Sequence, residues 1–423
     1  MRRGVSTLAV LLMLAAVPSA LAWTTLGTGV GNTVVPAMLV TQSGTELVSW
    51  ESPVGGTISL SRDHAAARIL VSGDPAAGRT QLVQQPSGAI QLYYPNAQGV
   101  GRLTSTDDGQ TWSGPVQTQS HTLGGVMGAA VASDGTPYFS QDGTGFVNVF
   151  RGLNGDYVKN VFPRCCGYAE SLAVDTTGLV QVAFYSNADP DGTFLYEKLG
   201  GDLTPAASTA LKPTAPHDDR VPLVADHSGN TFMAWPPGYP TATELTVVPF
   251  RAGVPAGDGV NFRGSFSGGD PHTALTVDSQ DRLWAVWSAG GAVHAARSRS
   301  HGQHFGATVS VTVPGTIYQL SAAGVGGNPG SVDVVVNTGA ELRRQALQPG
   351  LSVRVFVTKK KVGKKTVVAH WAQALDDGFG VPTASFRIGG RTFRADASGK
   401  AKVPVGAGTA TAPGYVGASL RAR

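Results

Sequence analysis

The sequence predicts an all-β protein: a seven-bladed β-propeller over residues 23–348, with six blades as the alternative, followed by a small β-sandwich over 351–423. Two observations carry this. Glycine is abundant, 56 of 423 residues, while charged residues are only 14%, which suits many tight turns better than long charged helices. A unit of apolar strand, polar turn and second strand also recurs seven times. Its turn positions Gly44, Gly88, Gly135, Gly178, Gly229, Asp281 and Gly330 stand 44, 47, 43, 51, 52 and 49 residues apart. A period of about 40 to 50 residues built of short strands is expected of four-stranded blades, whereas a sandwich gives no reason for it.

Residues 1–22 read as a secretory signal peptide: Arg2 and Arg3 lead an apolar run from Val5 to Val17, and Ala20-Leu21-Ala22 offers small residues before Trp23. The run is too short to span a bilayer and no later stretch is long enough, so a soluble extracellular product is expected. The stretch from Trp23 to Gly29 is expected to complete the sheet of the last blade, leaving no open edge. The cleanest copy of the repeat is SLAVDTTGLVQVAFYS from Ser171, where Leu172, Val174, Val180, Val182 and Phe184 alternate around Asp175-Thr176-Thr177-Gly178. That alternation is the pattern of a hairpin with one buried face. Segments starting at Met38, Leu82, Ala129, Pro222 and Ala274 follow the same logic, and the one from Ser321 is looser.

One copy carries Ser105-Thr106-Asp107-Asp108-Gly109-Gln110-Thr111-Trp112 between its third and fourth strands. Asp107 is placed to accept N–H bonds within the turn, Gly109 permits a positive φ, and Trp112 is expected to fill space between strands. The spacing Ser-x-Asp-x-Gly-x-Thr-Trp is that of the Asp-box, and here the chain resembles the sialidase-like, or BNR-repeat, propellers. Ser298 to Phe305 looks like a worn second copy, with Ser300 for the Asp and Phe305 for the Trp. The resemblance covers roughly residues 24 to 348 and implies a structural role for Ser105, Asp107, Gly109, Thr111 and Trp112, with any ligand site on the opposite face.

From Leu351 the segments LSVRVFV and KKTVVAHWAQAL read as strands, and alternation continues to the end. This tail resembles Ig-like or carboxypeptidase-regulatory-like modules, chiefly in Asp396-Ala397-Ser398-Gly399-Lys400-Ala401 and Ala412-Pro413-Gly414-Tyr415. Such modules are spacers or adhesive units. The formal charge of +4 is concentrated here, in Lys359-Lys360-Lys361 and Lys364-Lys365. No aromatic residue interleaves these lysines, so nucleic acid is disfavoured, and a solvated turn or contact with an anionic cell wall or cell surface is expected.

Turns of a four-stranded blade alternate between two faces, and the resemblance places ligand sites on the face opposite the Asp-box. Connections entering first strands there carry His121, Arg164, Cys165, Cys166, Tyr168, Glu170, His217, Asp218, Asp219, Arg220, Asp270, His272 and Tyr318. Those after second strands carry Glu51, Tyr94, Asn96, Gln141, Asp142, Asn187, Asp189, Tyr239 and Trp287. An active sialidase would need three clamp arginines, a Tyr nucleophile with a Glu partner, an Asp acid and an early Arg-Ile-Pro. The chain departs from this pattern: Phe386-Arg387-Ile388-Gly389 lies in the tail and lacks the Pro, and Arg164 and Arg220 have no evident third. Tyr168 with Glu170 is the best nucleophile and base pair available. A glycosidase pair drawn from Glu51, Glu170, Asp218 and Asp270 is the catalytic alternative, although loop carboxylates cap turns more often than they catalyse.

No metal or cofactor is expected. His121, His217, Asp218, Asp270 and His272 lack ligand spacing within one element, and Gly27-Thr28-Gly29-Val30-Gly31 lacks the strand before it and the helix after it that a phosphate loop requires. Cys165 and Cys166 are the only cysteines, and in an exported chain they are expected to form a disulfide with each other. Adjacent Cα atoms are only about 3.8 Å apart, so such a ring is strained and closes no loop; it suits the floor of a ligand site, with Tyr168 as an aromatic wall. A pair that merely fixes a loop, or two buried thiols, are the plainer readings. The expected function is binding of an extracellular ligand, a carbohydrate, through Arg164, Cys165, Cys166, Tyr168, Asn187, His217, Arg220, Tyr239 and His272, without catalysis. A glycoside hydrolase of exo-sialidase type and a structural cell-surface protein are the alternatives.

Overall fold

All seven repeated turns place one residue at positive φ: 89° at Gly44, 88° at Gly88, 87° at Gly135, 80° at Gly178, 85° at Gly229, 58° at Asp281 and 82° at Gly330. Glycine takes that conformation without a Cβ clash, and Asp tolerates it at single positions. Three turns add the same side-chain device. Asp175 Oδ1 accepts from the Thr177 and Leu179 N–H groups at 2.9 and 3.1 Å. Asp226 does so from Ser228 and Asn230, and Asp278 from Gln280 and Arg282. The polar turn thus holds its own backbone, and the flanking apolar alternation supplies the two strands.

The computed structural model describes residues 22–422 except 53–55, 74–77, 120–125, 144–145, 163–166, 187–192, 214–220, 237–243, 252, 264–271, 300 and 303. The chain falls into two compact units, divided between Gln348 and Pro349. No helix among the described residues is long and apolar enough to cross a membrane.

The larger unit holds seven antiparallel sheets among its described residues, over 37–72, 81–117, 126–162, 167–213, 223–263, 273–312, and 319–347 with 24–28. Six have four strands, five of them in simple meander order and the seventh sheet completed by 24–28. In the fifth sheet the outer position is shared by Val254–Pro255 and Val260–Arg263, both paired with Glu244–Arg251. The first strands Ala37–Val40, Gln81–Gln84, Val126–Val131, Gly167–Val174, Leu223–Ala225, Thr273–Val277 and Gln319–Val325 each lie beside the next, and the last lies beside the first. The core sits between neighbouring sheets. Val147, Val149 and Phe162 of the third meet Leu172, Val182 and Phe184 of the fourth. Tyr196 stacks on Phe250 across the fourth and fifth, with centroids 3.9 Å apart.

Closure comes from the N-terminal strand Thr24–Thr28, which pairs with Glu341–Leu347 in the register Thr24↔Arg344, Thr25↔Arg343, Gly27↔Leu342 and Thr28↔Glu341. This corrects the reading of the glycine-rich stretch at 27–31 as a segment without a strand before it; the strand runs into it, and no helix follows. A Cβ at Gly27 would lie 2.8 Å from Trp50 Cζ2, so the glycine lets the edge strand approach the first sheet. Leu26, Val48, Trp50, Val335 and Leu342 bury that seam. Asn337 Nδ2 donates to Gly31 O and Val34 O, both at 2.8 Å. Arg344 donates to Glu46 Oε2 at 3.0 Å and also pairs with Asp333.

In the smaller unit, one sheet holds Ser352–Val362, Lys365–Asp376, Phe379–Gly380 and Lys400–Val403, and another holds Arg391–Arg394, Ser385–Ile388, Gly406–Thr411 and Ala418–Ala422. Ala372, Ala374 and Val403 of the first share a core with Phe386, Ile388, Ala410 and Leu420 of the second. Asp396 Oδ1 caps its turn through Ser398 and Lys400 N–H, as the aspartates of the larger unit do.

Burial, with Glu46 beside it, pushes the Asp333 carboxyl up to about 7, against the opposing pull of Arg344. An unfolded Asp titrates near 3.9, so the folded state binds more protons between about pH 4 and 7, and this group's contribution falls as pH rises through that window. Urea denaturation across the window is expected to show a shallower loss of stability in Asp333→Asn than in the wild type; equal slopes would refute the assignment.

Candidate functional site

Connections entering first strands share one face, here called upper, with those joining second to third strands. First-hairpin turns and turns between third and fourth strands share the lower face, as the bond from Ser43 Oγ to Asp108 Oδ2 at 2.7 Å illustrates. Many of the expected site residues lie outside the described residues: His121, Arg164, Cys165, Cys166, Asn187, Asp189, His217, Asp218, Asp219, Arg220, Tyr239 and Asp270. Tyr168 and Asp142 are described through their backbone alone.

His272 and Tyr318 lie in connections, just before the first strands Thr273–Val277 and Gln319–Val325, as the sequence reading has them. The other described residues are placed differently from that reading, which put them in connections. Glu51, Tyr94, Asn96, Gln141 and Trp287 belong to the second strands Glu46–Ser52, Ile90–Asn96, Pro137–Gly143 and Leu283–Ala289, and Glu170 to the first strand Gly167–Val174. The ladders run on past the apolar alternation, pairing Glu51 with Ile58, Asn96 with Gly99 and Gln141 with Asn148. Tyr94 is fully buried, and a Cβ at Gly101 would overlap its ring. Trp287 is also buried, its ring 4.9 Å from Phe262 and 5.5 Å from His294. These two aromatics are core, not platforms for a ligand.

Polar groups at the upper ends of the second strands hold the connections above them. Glu51 Oε2 accepts from the Gly78 N–H at 2.9 Å, Asn96 Oδ1 from Gln98 N–H at 3.0 Å, and Asn337 Oδ1 from Gly339 N–H at 2.7 Å. Ser288 Oγ accepts from the His272 N–H at 3.1 Å. Sequence reasoning missed Ser288 and Asn337, although the signal was there: each apolar run ends on a buried polar residue. Burial raises the Glu51 carboxyl above its ordinary value, and the Gly78 bond opposes this only in part.

Glu51 and Glu170 stand on the first and fourth sheets, with at least two sheets between them. A regular strand would set Tyr168 and Glu170 on one face, but the register shifts between Tyr168 and Ser171. Tyr318, 38% exposed, is the large apolar side chain that the described upper face presents.

The seven first strands enclose a channel of about 390 Å³, lined by residues such as Ala37, Leu82, Ala130, Leu172, Val224, Ala274 and Ala322. His227 alone among its lining residues can carry charge, and its Nδ1 lies 2.6 Å from Asp281 Oδ1. Among its described lining residues the channel offers no carboxylate, and its one imidazole is already engaged by Asp281. Glu46, His64 and Asp333 bring liganding atoms within 4.8 Å of one another, but Arg344 already sits against both carboxylates.

On the lower face, Asp107 Oδ1 accepts from Ser105 Oγ and Thr111 N–H, both at 2.8 Å, and Oδ2 from Thr111 Oγ1 at 2.6 Å. Ser105 Oγ in turn accepts from Gly109 N–H at 2.9 Å. Trp112 is half-buried against the core shared by the first two sheets. The turn at Ser298 repeats one bond, Gly302 N–H to Ser298 Oγ at 2.9 Å, and Phe305 packs edge-on to Phe262. Thr111, through its hydroxyl first and its N–H second, brings the Asp107 carboxyl down to about 2. Its contribution is therefore complete above the unfolded carboxyl range and lost as pH falls toward 2. Asp107→Ala is expected to lower Tm at pH 7, with the gap to wild type narrowing on acidification and ligand affinity unchanged. Lost binding at unchanged Tm would contradict this role.

No protein-family model and no curated protein matches the chain. Among solved structures, a catalytically inactive variant of virginiamycin B lyase from Staphylococcus aureus with quinupristin is similar at 11% identity. Its TM-score is 0.51, over 77% of this chain and 98% of that one. A streptogramin B lyase gives 0.51 at 11% identity, over 76% and 96%. A Hadza microbial sialidase gives 0.46 at 13% identity, over 75% and 66%. At such identities the likeness to the two lyases is one of fold, and with the ring of antiparallel sheets it makes the larger unit a β-propeller.

Proposed function

We propose that the chain is an exported, non-catalytic, sialidase-like propeller of seven blades that binds an extracellular carbohydrate on its upper face. In this reading the smaller unit is an Ig-like β-sandwich that serves for cell-surface contact. The observation that carries the proposal is how the buried polar groups beneath the upper face are engaged. Glu51, Asn96, Ser288 and Asn337 bond the backbone of the connections above them. The scaffold is therefore organised to hold loops in place, and a site made of positioned loops suits recognition. The binding residues are Arg164, Cys165, Cys166, Tyr168, Asn187, His217, Arg220, Tyr239 and His272, with the Cys165–Cys166 pair oxidised beneath the ligand.

One observation favours a glycosidase as the second reading: burial raises the Glu51 carboxyl, as a general acid requires. A glycan array run beside hydrolysis of a fluorogenic sialoside separates the two. Saturable binding without turnover, retained by Glu51→Gln, is the expected result. Turnover that Glu51→Gln abolishes would establish the hydrolase. The mass of the non-reduced protein is expected to be lower by two hydrogens, and the Cys165→Ser, Cys166→Ser double variant to lose binding. Free thiols, or full binding by the double variant, would remove the disulfide from the site.

A further inference from the structure

The smaller unit carries a feature that its core does not explain. Strands Ser352–Val362 and Lys365–Asp376 pair along their whole length, from Ser352↔Leu375 to Val362↔Lys365. On its other side the second strand has partners only from His370 onward. Residues 357–369 therefore form a two-stranded ribbon with no third strand beside it among the described residues. A bare ribbon is marginal in water, and this one is braced at its base. Phe356 and Trp371 stack across the strands with planes 8° apart, and Trp371 Nε1 donates to Thr358 Oγ1 at 2.9 Å.

Cross-strand partners share a face. Lys359 lies with Val368 on one face, and Lys360 with Val367 and Val362 with Lys365 on the other. Five lysines fall between 359 and 365, with no acidic residue between Glu341 and Asp376. Val357, Val362, Val367 and Val368 are 43%, 57%, 48% and 46% exposed. Lysines alone would be read as protection of a free edge. Protection does not call for four open valines, and a soluble polyanion would neutralise the lysines while leaving the valines in water.

We propose that this ribbon docks the protein on an anionic lipid bilayer. The valines enter the headgroup boundary from both faces of the ribbon, and the ammonium groups meet lipid phosphates. This rests on the cell-surface role given above to the smaller unit, and names the surface.

The test is co-sedimentation of the full-length protein with vesicles of phosphatidylcholine alone and of phosphatidylcholine with phosphatidylglycerol. Binding to the anionic vesicles only is expected, weakened by salt. The variant with Lys359, Lys360, Lys361, Lys364 and Lys365 all changed to Gln is expected to bind at least about a hundredfold more weakly. Val362→Ser with Val367→Ser, which keeps every charge, is expected to weaken binding about tenfold. Equal binding to neutral vesicles, no binding to anionic ones, or full binding by the valine variant would overturn the proposal. In the last case, inorganic polyphosphate that competes fully with the vesicles would identify a polyanion as the partner. Glycan binding by the same variants reports on the propeller separately, so failure of either reading is visible without the other.

Discussion

The larger unit depends on one constraint: a ring of sheets is stable only if its last sheet meets its first. A sheet left short presents unpaired N–H and C=O groups and an uncovered apolar side. Here the closing strand is drawn from the other end of the chain, and side chains back it from both directions. Leu26 and Trp50 share an apolar seam with Val335 and Leu342. Asn337 satisfies two carbonyls of the segment between the closing strand and the first sheet. Arg344, on the paired strand itself, reaches Glu46 of the first sheet and Asp333 of the seventh. Two carboxylates against one guanidinium is a poor balance in a buried setting, which is why one of them keeps its proton to an unusual pH.

The two faces divide the work. Lower turns are short and bond themselves, through Asp107, Asp175, Asp226 and Asp278. They also bond one another across sheets: His301 Nδ1 lies 3.1 Å from Asp226 Oδ2, and Arg282 reaches the carbonyls of Gly327 and Pro329. The upper side bonds the backbone of its connections from the strand ends beneath them, in short turns at Asn96 and Asn337 and in longer connections at Glu51 and Ser288. A rigid lower rim and a loop-bearing upper rim is the arrangement in which loop sequence can vary without disturbing the sheets.

Much of the fold was legible in the sequence, because its signals are local. A glycine at a positive φ and alternating valines report on a few residues each, and the seven turns fall where the repeat placed them. The closing strand was legible as well, since an open edge demands a partner. The placing of Tyr94, Asn96 and Trp287 was not, because a polar or aromatic residue at the end of an apolar run reads equally as the last rung of a ladder or the first residue of a loop. Nor was the Glu46–Arg344 contact, whose members lie 298 positions apart. For the candidate site, residue types were legible and geometry was not. The sequence marked Glu51 as an available carboxylate, but the bond to Gly78 that engages it is set by the packing of one connection over one strand.

The closing strand also imposes an order of events on a nascent chain. Thr25 Oγ1 donates to Glu341 Oε2 across 316 positions, so the strand Thr24–Thr28 is synthesised long before the strand it pairs with. Individual sheets can form as hairpins while translation proceeds, because their contacts are close in sequence. Val48 and Trp50 wait until the seventh sheet has been made before their outer side is covered. Any truncation within 319–347 therefore does more than delete a strand, for it leaves the opposite end of the molecule with an exposed apolar edge and nothing to pair it.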